Sequence, residues 1–401
     1  MYRLFNKLEV QPDNHRLIMT INFAFFINGI MTVMLGVLLP HIKYENTLTY
    51  TQAGLIFSFH QIGTLCAVLA AGVLPYMIGR KKSTLLMCAG SVLGLILMVI
   101  VGEWYLFAVA FILIGVGRGG LNNTCNVVSA DVCGNKSIAM NVLHSCFALG
   151  ALISPFIVFM FVAVFGSVGW QFAALGVALL MSVIWMLILR SKINNTPTKK
   201  EKGKSLAFFG ELNFWIPTVL LVLYLAVETS IIGWFVLYFI DIGALPAGIA
   251  GFVPTMYWIM MMFGRIYIAS ISHRIKNKNR FLMLISISTT LCFVGMFLST
   301  APLFSVVFLF GIGLSMAGIY PTTVATIKTP SESIGFAIAF SGLGSIFMPS
   351  IIGAVADGHG LANAIMLLLV ALFFMVLLAG VKILYERKQD NAASSTQNPP
   401  A

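Results

Sequence analysis

Long apolar stretches separated by short polar gaps fill almost the whole chain. Each stretch holds about 20 residues, the length that an α-helix needs to cross the hydrocarbon core of a bilayer. Lipid offers no partner to unpaired backbone groups, so each stretch is predicted to be a helix. The twelve predicted spans are 17–40, 52–77, 83–102, 104–130, 138–163, 169–189, 214–240, 248–270, 281–299, 302–327, 333–356 and 361–384.

The longest polar gap divides these spans into six and six. It is basic, it covers 190–213, and it is predicted to be a cytoplasmic linker between a half at 17–189 and a half at 214–385. The predicted ends are a cytoplasmic segment at 1–16 and a disordered cytoplasmic tail at 386–401, which is poor in apolar residues. The predicted fold is an all-α membrane protein with twelve transmembrane helices in two pseudo-symmetric six-helix halves.

Composition and charge agree with this pattern. The 401 residues are 59% apolar and only 9% charged, whereas about a quarter of a soluble domain is charged. Of the 24 Lys and Arg residues, Arg118 and Arg265 lie inside spans, Lys43 lies in one set of alternate gaps, and the others lie in or beside the other set. This asymmetry predicts that both termini are cytoplasmic and that the protein is a multi-pass protein of the cell membrane. The net charge of +11 therefore reflects topology, and no nucleic-acid partner is expected.

Residue types that would indicate catalysis or a resident cofactor do not cluster. The six cysteines form no C-x-x-C pair, and the chain contains neither H-E-x-x-H nor G-x-S-x-G. The sequence predicts no enzyme activity, no cofactor and no metal site.

Glycine and proline recur at matching places in the two halves. Gly150 stands five residues before Pro155 in the fifth span, and Gly344 stands five residues before Pro349 in the eleventh. The fourth and tenth spans also carry a Gly-x-Gly pair each, at 115–117 and 311–313. Parallel six-helix repeats are typical of transporters.

The gap after the second span, 72–82, reads GVLPYMIGRKK. It resembles the loop signature of the major facilitator superfamily, in which Gly, an Asp-Arg pair and then Gly-Arg-Lys follow one another. The resemblance covers nearly all of the chain and implies the major facilitator fold, alternating access and a monomer. Tyr76 and Met77 replace the Asp-Arg pair. The gating-loop residues that the resemblance implies are Gly72, Gly79, Arg80 and Lys81.

A narrower resemblance is to the fucose/galactose/gluconate:proton symporter branch of this superfamily. The similar stretches are 25–29, 38–41, 48–54, 141–147, 224–228 with Gly233-Trp234, and 318–322. Members of this branch carry an Asp in the first span and a Glu in the fourth span, where this chain has Gly36 and Asn122. If the branch is right, the usual proton-coupling acids of the first half are missing.

Glu228 is the acid that remains within a span, in the middle of the seventh. A carboxylate in hydrocarbon costs several kcal/mol, so such a residue is a candidate for ion coupling or substrate contact. Burial favours its protonated form, and a nearby cation favours the carboxylate. Three interpretations stay open: a proton carrier, a substrate contact without coupling, and a fixed ion pair with Arg118.

Other polar side chains within the spans share helix faces. Arg118, Asn122 and Asn126 are four residues apart and form a stripe on the fourth span that suits hydroxyls or a carboxylate. Asn141 and His144 share a face of the fifth span, and His144 is a second candidate for proton exchange. Each of these residues could instead serve helix packing alone.

Two aromatic residues of the second half complete the predicted substrate site. Trp234 and Tyr257 could stack on a sugar ring or could equally be packing residues. The predicted function is secondary active transport of a small polar solute, a sugar or sugar derivative, coupled to protons through Glu228 in a symporter of the cell inner membrane. The alternative is a proton-driven exporter of drugs or metabolites, which Arg118 and the glycine-rich run before Pro155 favour.

Overall fold

The computed structural model describes residues 8–193, 207–242, 245–271, 274–299, 301–327 and 331–397. The predicted segment 1–16, linker 190–213 and tail 386–401 each fall partly outside these ranges. Within them the regular secondary structure is helical. The α-helices are α1 (His15–Glu45), α2 (Tyr50–Ala71), α3 (Leu74–Ile78), α4 (Arg80–Ile100), α5 (Trp104–Val132), α6 (Lys136–Phe165), α7 (Gly169–Arg190), α8 (Leu212–Asp241), α9 (Ala247–Ala250), α10 (Val253–Ile271), α11 (Lys278–Leu298), α12 (Pro302–Met316), α13 (Ile319–Val324), α14 (Ser331–His359), α15 (Leu361–Ile365) and α16 (Leu367–Gln397).

These helices confirm the predicted all-α membrane fold. Eleven helical stretches in the described part of the chain are long and apolar enough to cross a bilayer. One of them, Ile138–Arg190, is 53 residues long and contains most of α6 and all of α7. The described residues therefore hold twelve spans. The first six are α1, α2, α4, α5, α6 and α7, and the second six begin with α8.

Three of the second-half spans depart from single straight helices. The eighth consists of α9 and α10, the tenth consists of α12 and α13, which are separated at Ala317 and Gly318, and the twelfth consists of α15 and α16. The tail also differs from the prediction, because α16 continues as a helix to Gln397. Its sequence after residue 385 contains Glu, Arg, Lys and Gln, which have high helix propensity although they are polar.

The helices form two compact units. The first unit contains Met1–Lys202 together with Ile231–Thr255 and Pro349–Leu361, so it includes one end of α8 and one end of α14. The second unit contains Gly203–Ser230, Met256–Met348 and Ala362–Ala401.

The repeated glycines have the same structural role in each unit. A Cβ atom on Gly150 of α6 would lie 2.0 Å from the Phe26 carbonyl oxygen of α1. Within the second unit, a Cβ on Gly344 of α14 would lie 1.9 Å from the Val222 carbonyl oxygen of α8. Only glycine lets the two backbones of each pair approach so closely. The repeat therefore preserves a helix–helix contact in each unit.

Gly36 makes an equivalent contact within the first unit. A Cβ at this position would lie 2.2 Å from the carbonyl oxygen of Ile232, in the end of α8 that belongs to this unit. Any side chain at position 36 would have to displace α8. The space that the branch resemblance assigns to an aspartate is therefore occupied by the backbone of another helix.

We expect Gly150→Ala to destabilise the protein, because the added methyl group must push α1 and α6 apart. Overpacking of this kind costs about 1–3 kcal/mol. The matched control is Gly380→Ala in α16, where nothing lies within 4 Å of the added carbon. Thermal unfolding of the purified protein in detergent should show a lower midpoint for Gly150→Ala and an unchanged or higher midpoint for Gly380→Ala. Equal midpoints for Gly150→Ala and the wild type would contradict the packing role.

Candidate functional site

A polar cluster surrounds Arg118 in the first unit. The Arg118 Nε atom donates to the Thr32 hydroxyl at 3.1 Å, and Nη1 donates to Gln61 Oε1 at 3.4 Å. The Thr32 hydroxyl in turn donates to the backbone oxygen of Asn28 at 2.7 Å. Three helices, α1, α2 and α5, thus position the guanidinium. We call Asn28, Thr32, His60, Gln61 and Arg118 the arginine cluster.

Two buried polar atoms of the arginine cluster have no protein partner among the described residues. These are Oδ1 of Asn28 and Nε2 of His60, whose side chains are 1% and 3% exposed. His60 also lies close enough to Arg118 for the two to interact electrostatically. An unsatisfied buried polar group costs about 1–3 kcal/mol. Such atoms are suited to hydrogen bonds with a polar molecule that enters the protein.

The predicted stripe on the fourth span is present on α5. Asn126 donates its side-chain amide to the Asn122 backbone oxygen at 2.7 Å and to the Asn122 Oδ1 atom at 3.1 Å. Asn122 is exposed in the protein surface, while Arg118 and Asn126 are half-buried. The Asn126 side-chain amide therefore donates within α5. Because Asn122 is exposed and uses its Oδ1 atom in this contact, its Nδ2 group is the accessible amide of the stripe.

The two predicted polar residues of the fifth span lie together on α6. Asn141 and His144 are both exposed, and the His144 ring packs edge-on against Phe25 of α1 at 5.3 Å between centroids. The Asn141 backbone oxygen accepts a hydrogen bond from Ser145 at 2.7 Å. Their roles in substrate binding and proton exchange stay predictions.

In the second unit, tyrosines surround Glu228. The Tyr224 hydroxyl donates to Glu228 Oε1 at 2.6 Å, and the Tyr224 ring lies 5.7 Å from the Tyr320 ring. Glu228 and Arg265 are both near enough to act electrostatically on Tyr224, Tyr257 and Tyr320. We call Tyr224, Glu228, Tyr257, Arg265 and Tyr320 the glutamate cluster. Glu228 itself is half-buried.

The sequence analysis did not assign Tyr224, Arg265 and Tyr320 to the site, although it noted Arg265 as a charge inside a span. Arg265 lies in the second half of the eighth span, and a charge within a span was a signal that could have found it. Its guanidinium carbon lies 6.0 Å from the centre of the Trp258 ring. The sequence instead suggested Arg118 as the cation for Glu228, and that pairing stays a prediction. Tyr257 is fully buried, with its hydroxyl 3.6 Å from the Met316 sulfur.

Trp234 lies in the first unit, in the end of α8 that contacts α2. Its side chain is fully buried, its ring lies 6.3 Å from that of Tyr50, and its indole N–H has no hydrogen-bond partner among the described residues. The structure thus places Trp234 beside the start of α2 and in a different unit from Glu228. Its predicted substrate contact stays a prediction.

The residues of the predicted gating loop are fixed by local contacts in the first unit. Gly72 ends α2, and Gly79 adopts a φ of 84° just before α4, a conformation that favours glycine. Arg80 forms an ion pair with Asp131 of α5 at 2.6 Å, and Lys81 donates to the Ser191 backbone oxygen at 3.0 Å. The loop lacks the aspartate of the family signature, and the carboxylate that pairs with Arg80 comes instead from Asp131 of α5. The loop sequence alone did not indicate this residue.

Two aspartates hold the start of α2 at the other end of its unit. The Tyr44 and Tyr50 hydroxyls donate to the two carboxylate oxygens of Asp241 at 2.7 and 2.5 Å. The backbone N–H groups of Tyr50 and Thr51 donate to the two oxygens of Asp357 at 2.7 and 2.9 Å. A carboxylate is favourable here because a helix N-terminus carries unpaired N–H groups and a positive dipole. We call these five residues the aspartate latch.

A family model described as the Major Facilitator Superfamily matches residues 21–340. This chain belongs to the Major Facilitator Superfamily. It is therefore a secondary transporter and a multi-pass membrane protein, and the family is one of transporters rather than enzymes.

Two curated relatives align with almost the whole chain. Membrane protein MosC of Rhizobium meliloti is 24% identical over 90% of this chain and 89% of its own length. The glucose/mannose transporter GlcP of Bacillus subtilis (strain 168) is 24% identical over 94% of this chain and 98% of its own length. The solved structure of a mutant of the nucleoside transporter NupG superimposes with a TM-score of 0.75 over 91% of this chain and 98% of NupG. At 14% identity, the likeness to NupG shows the fold alone.

We expect Asp357→Asn to loosen the start of α2. Hydrogen bonds to a charged group contribute about 1.5–3 kcal/mol, so the Tyr50 and Thr51 amides should exchange with deuterium about tenfold faster or more. The matched control is Glu103→Gln, because Glu103 precedes α5 without capping it through its side chain. Hydrogen–deuterium exchange with mass spectrometry of the peptide around 49–53 measures the effect. Unchanged exchange in Asp357→Asn would rule out the capping role.

Proposed function

We propose that this protein imports a small polar solute, a sugar or sugar derivative, together with protons that Glu228 carries. It acts as a monomer in the cell membrane with both termini in the cytoplasm. The halves at 17–189 and 214–385, joined by the linker 190–213, move as the two parts of an alternating-access cycle. The observation that carries the proposal is that two buried polar atoms of the arginine cluster, Asn28 Oδ1 and His60 Nε2, have no hydrogen-bond partner in the described part of the chain.

The arginine cluster has the chemistry that a hydroxyl-rich solute requires. Arg118 supplies only donors, Asn28 Oδ1 is an acceptor, and the His60 ring nitrogen can take either role according to its tautomer. A sugar hydroxyl both donates and accepts, so it can satisfy each of these groups. The name of the relative GlcP, a glucose/mannose transporter, supports a hexose as the solute to test first.

The glutamate cluster has the chemistry of a proton carrier. Glu228 sits in a membrane span with Tyr224 donating to its carboxylate, and Arg265 lies close enough to influence the same tyrosines. In the proposed cycle, Glu228 takes up and releases its proton as the contacts of the glutamate cluster change. Gly36 and Asn122 leave the first half without the acids of the sugar:proton symporter branch. In our proposal Glu228 carries the proton in place of the two acids that the first half lacks.

The aspartate latch joins helices from the two halves of the sequence. It ties α2 to the ends of α8 and α14, which belong to the second half of the sequence. In our proposal these hydrogen bonds break when the transporter opens to the outside, and they form again as the solute is carried inward.

We expect Glu228→Gln to abolish solute accumulation, because glutamine keeps the shape of the side chain but cannot bind and release a proton. The assay is uptake of labelled glucose, mannose and a nucleoside into proteoliposomes with an imposed pH gradient. Wild-type uptake should exceed equilibrium and should collapse when the gradient is dissipated. Glu228→Gln should still exchange solute across the membrane without concentrating it.

Glu103→Gln is the control, since it removes a carboxylate that lies outside the glutamate cluster. Full accumulation by Glu228→Gln would show that Glu228 is not the coupling group. If no sugar tested is taken up and drugs are moved across the membrane of inverted vesicles by a proton gradient, the protein is an exporter and the proposed import is wrong.

A further inference from the structure

A cavity opens between the beginning of α1 and the end of α7, away from the arginine cluster. Its volume is about 740 Å³. Both helices belong to the first unit, and both ends lie beside the polar gaps that carry the basic residues of the sequence. Its lining includes Arg16, Met19, Phe23, Leu187, Arg190 and Lys192.

The polar part of this cavity is strongly basic. Arg16, in the first turn of α1, faces it together with Arg190 and Lys192 at the end of α7, and Asp13 is the acid in the lining. The three cationic side chains are exposed. Guanidinium and ammonium groups that converge in this way suit an anion with several oxygens, and a phosphate accepts such bonds from two or three of them.

The remaining wall is apolar and accessible. Met19, Phe23 and Leu187 are 40%, 39% and 37% exposed, respectively. Met19 and Phe23 are four residues apart on α1, so they follow Arg16 along one face of the helix toward the membrane interior. A soluble anion would use the cations but would leave this apolar wall uncovered. A molecule with an anionic head and a hydrocarbon tail fits both parts.

We propose that this cavity binds an anionic phospholipid of the surrounding bilayer. Its phosphate lies among Arg16, Arg190 and Lys192, and an acyl chain lies along Met19, Phe23 and Leu187. Basic pockets between transmembrane helices on the cytoplasmic side are suited to acidic lipid headgroups. The chain's own charge asymmetry places this end of the helices there.

The lipid would also stabilise a neighbouring contact. Ser191, in the cavity wall, accepts the hydrogen bond of Lys81 from the start of α4 through its backbone oxygen. A headgroup held by Arg190 and Lys192 would therefore fix the end of α7 at the point where α7 meets the predicted gating loop.

The test is native mass spectrometry of the full chain released from detergent, with phosphatidylglycerol or phosphatidylcholine added at equal concentration. The wild type should retain phosphatidylglycerol in preference to phosphatidylcholine. Each neutralised cation should weaken this binding about fivefold. The triple variant Arg16→Gln, Arg190→Gln, Lys192→Gln should therefore lose the preference for phosphatidylglycerol.

Lys136→Gln is the matched control, because Lys136 is an exposed cation at the start of α6 that does not line the cavity. It should keep the wild-type preference, and all variants should melt alike in phosphatidylcholine nanodiscs. Equal binding of the two lipids to the wild type, or full retention of phosphatidylglycerol by the triple variant, would overturn the proposal. Displacement of phosphatidylglycerol by excess inorganic phosphate would also overturn it and would identify a site for soluble anions.

Discussion

Close approach of helix backbones is the constraint on which this structure depends. Helices in lipid gain little from the hydrophobic effect when they associate, so they depend on van der Waals packing and interhelical hydrogen bonds. Gly150 and Gly344 allow such approaches at equivalent places in the two units. Because these contacts fix the helix axes, the polar side chains of the arginine and glutamate clusters project from a scaffold whose geometry the glycines determine.

Close helix packing also limits where a proton-coupling acid can stand. Gly36 cannot carry a side chain while α8 lies against α1, so a proton-coupling acid at that position is incompatible with the packing of this conformation. The carboxylate within the seventh span, Glu228, is held by Tyr224 in the other unit. In the proposed function, helix packing at Gly36 and proton coupling at Glu228 therefore use different places in the chain, in contrast to the pattern of the branch that the sequence resembles.

The apolar stretches of the sequence predicted the spans well, because a bilayer requires a continuous apolar stretch for every crossing. Contacts between helices were less predictable. Arg118 was identified as a charge within a span, but Thr32 and Gln61 come from other helices and have no local signal that links them to it. Lys382 lies near the end of the predicted span 361–384, and the sequence did not predict its partner; the structure buries it with its ammonium group 2.8 Å from the Thr326 hydroxyl. The aspartate latch joins residues about 190–310 positions apart in the chain, a separation that no single-sequence pattern reveals.

The central claim is that the contact between α2 and α14 must open during each transport cycle. The Ser58 and Ser350 hydroxyl oxygens lie 2.5 Å apart across this contact. The most direct measurement is solute uptake by the double variant Ser58→Cys, Ser350→Cys before and after oxidation, with each single variant as control. The account predicts that the disulfide stops uptake in the double variant alone and that a reductant restores it. Uptake at the wild-type rate by the fully cross-linked protein would contradict the account.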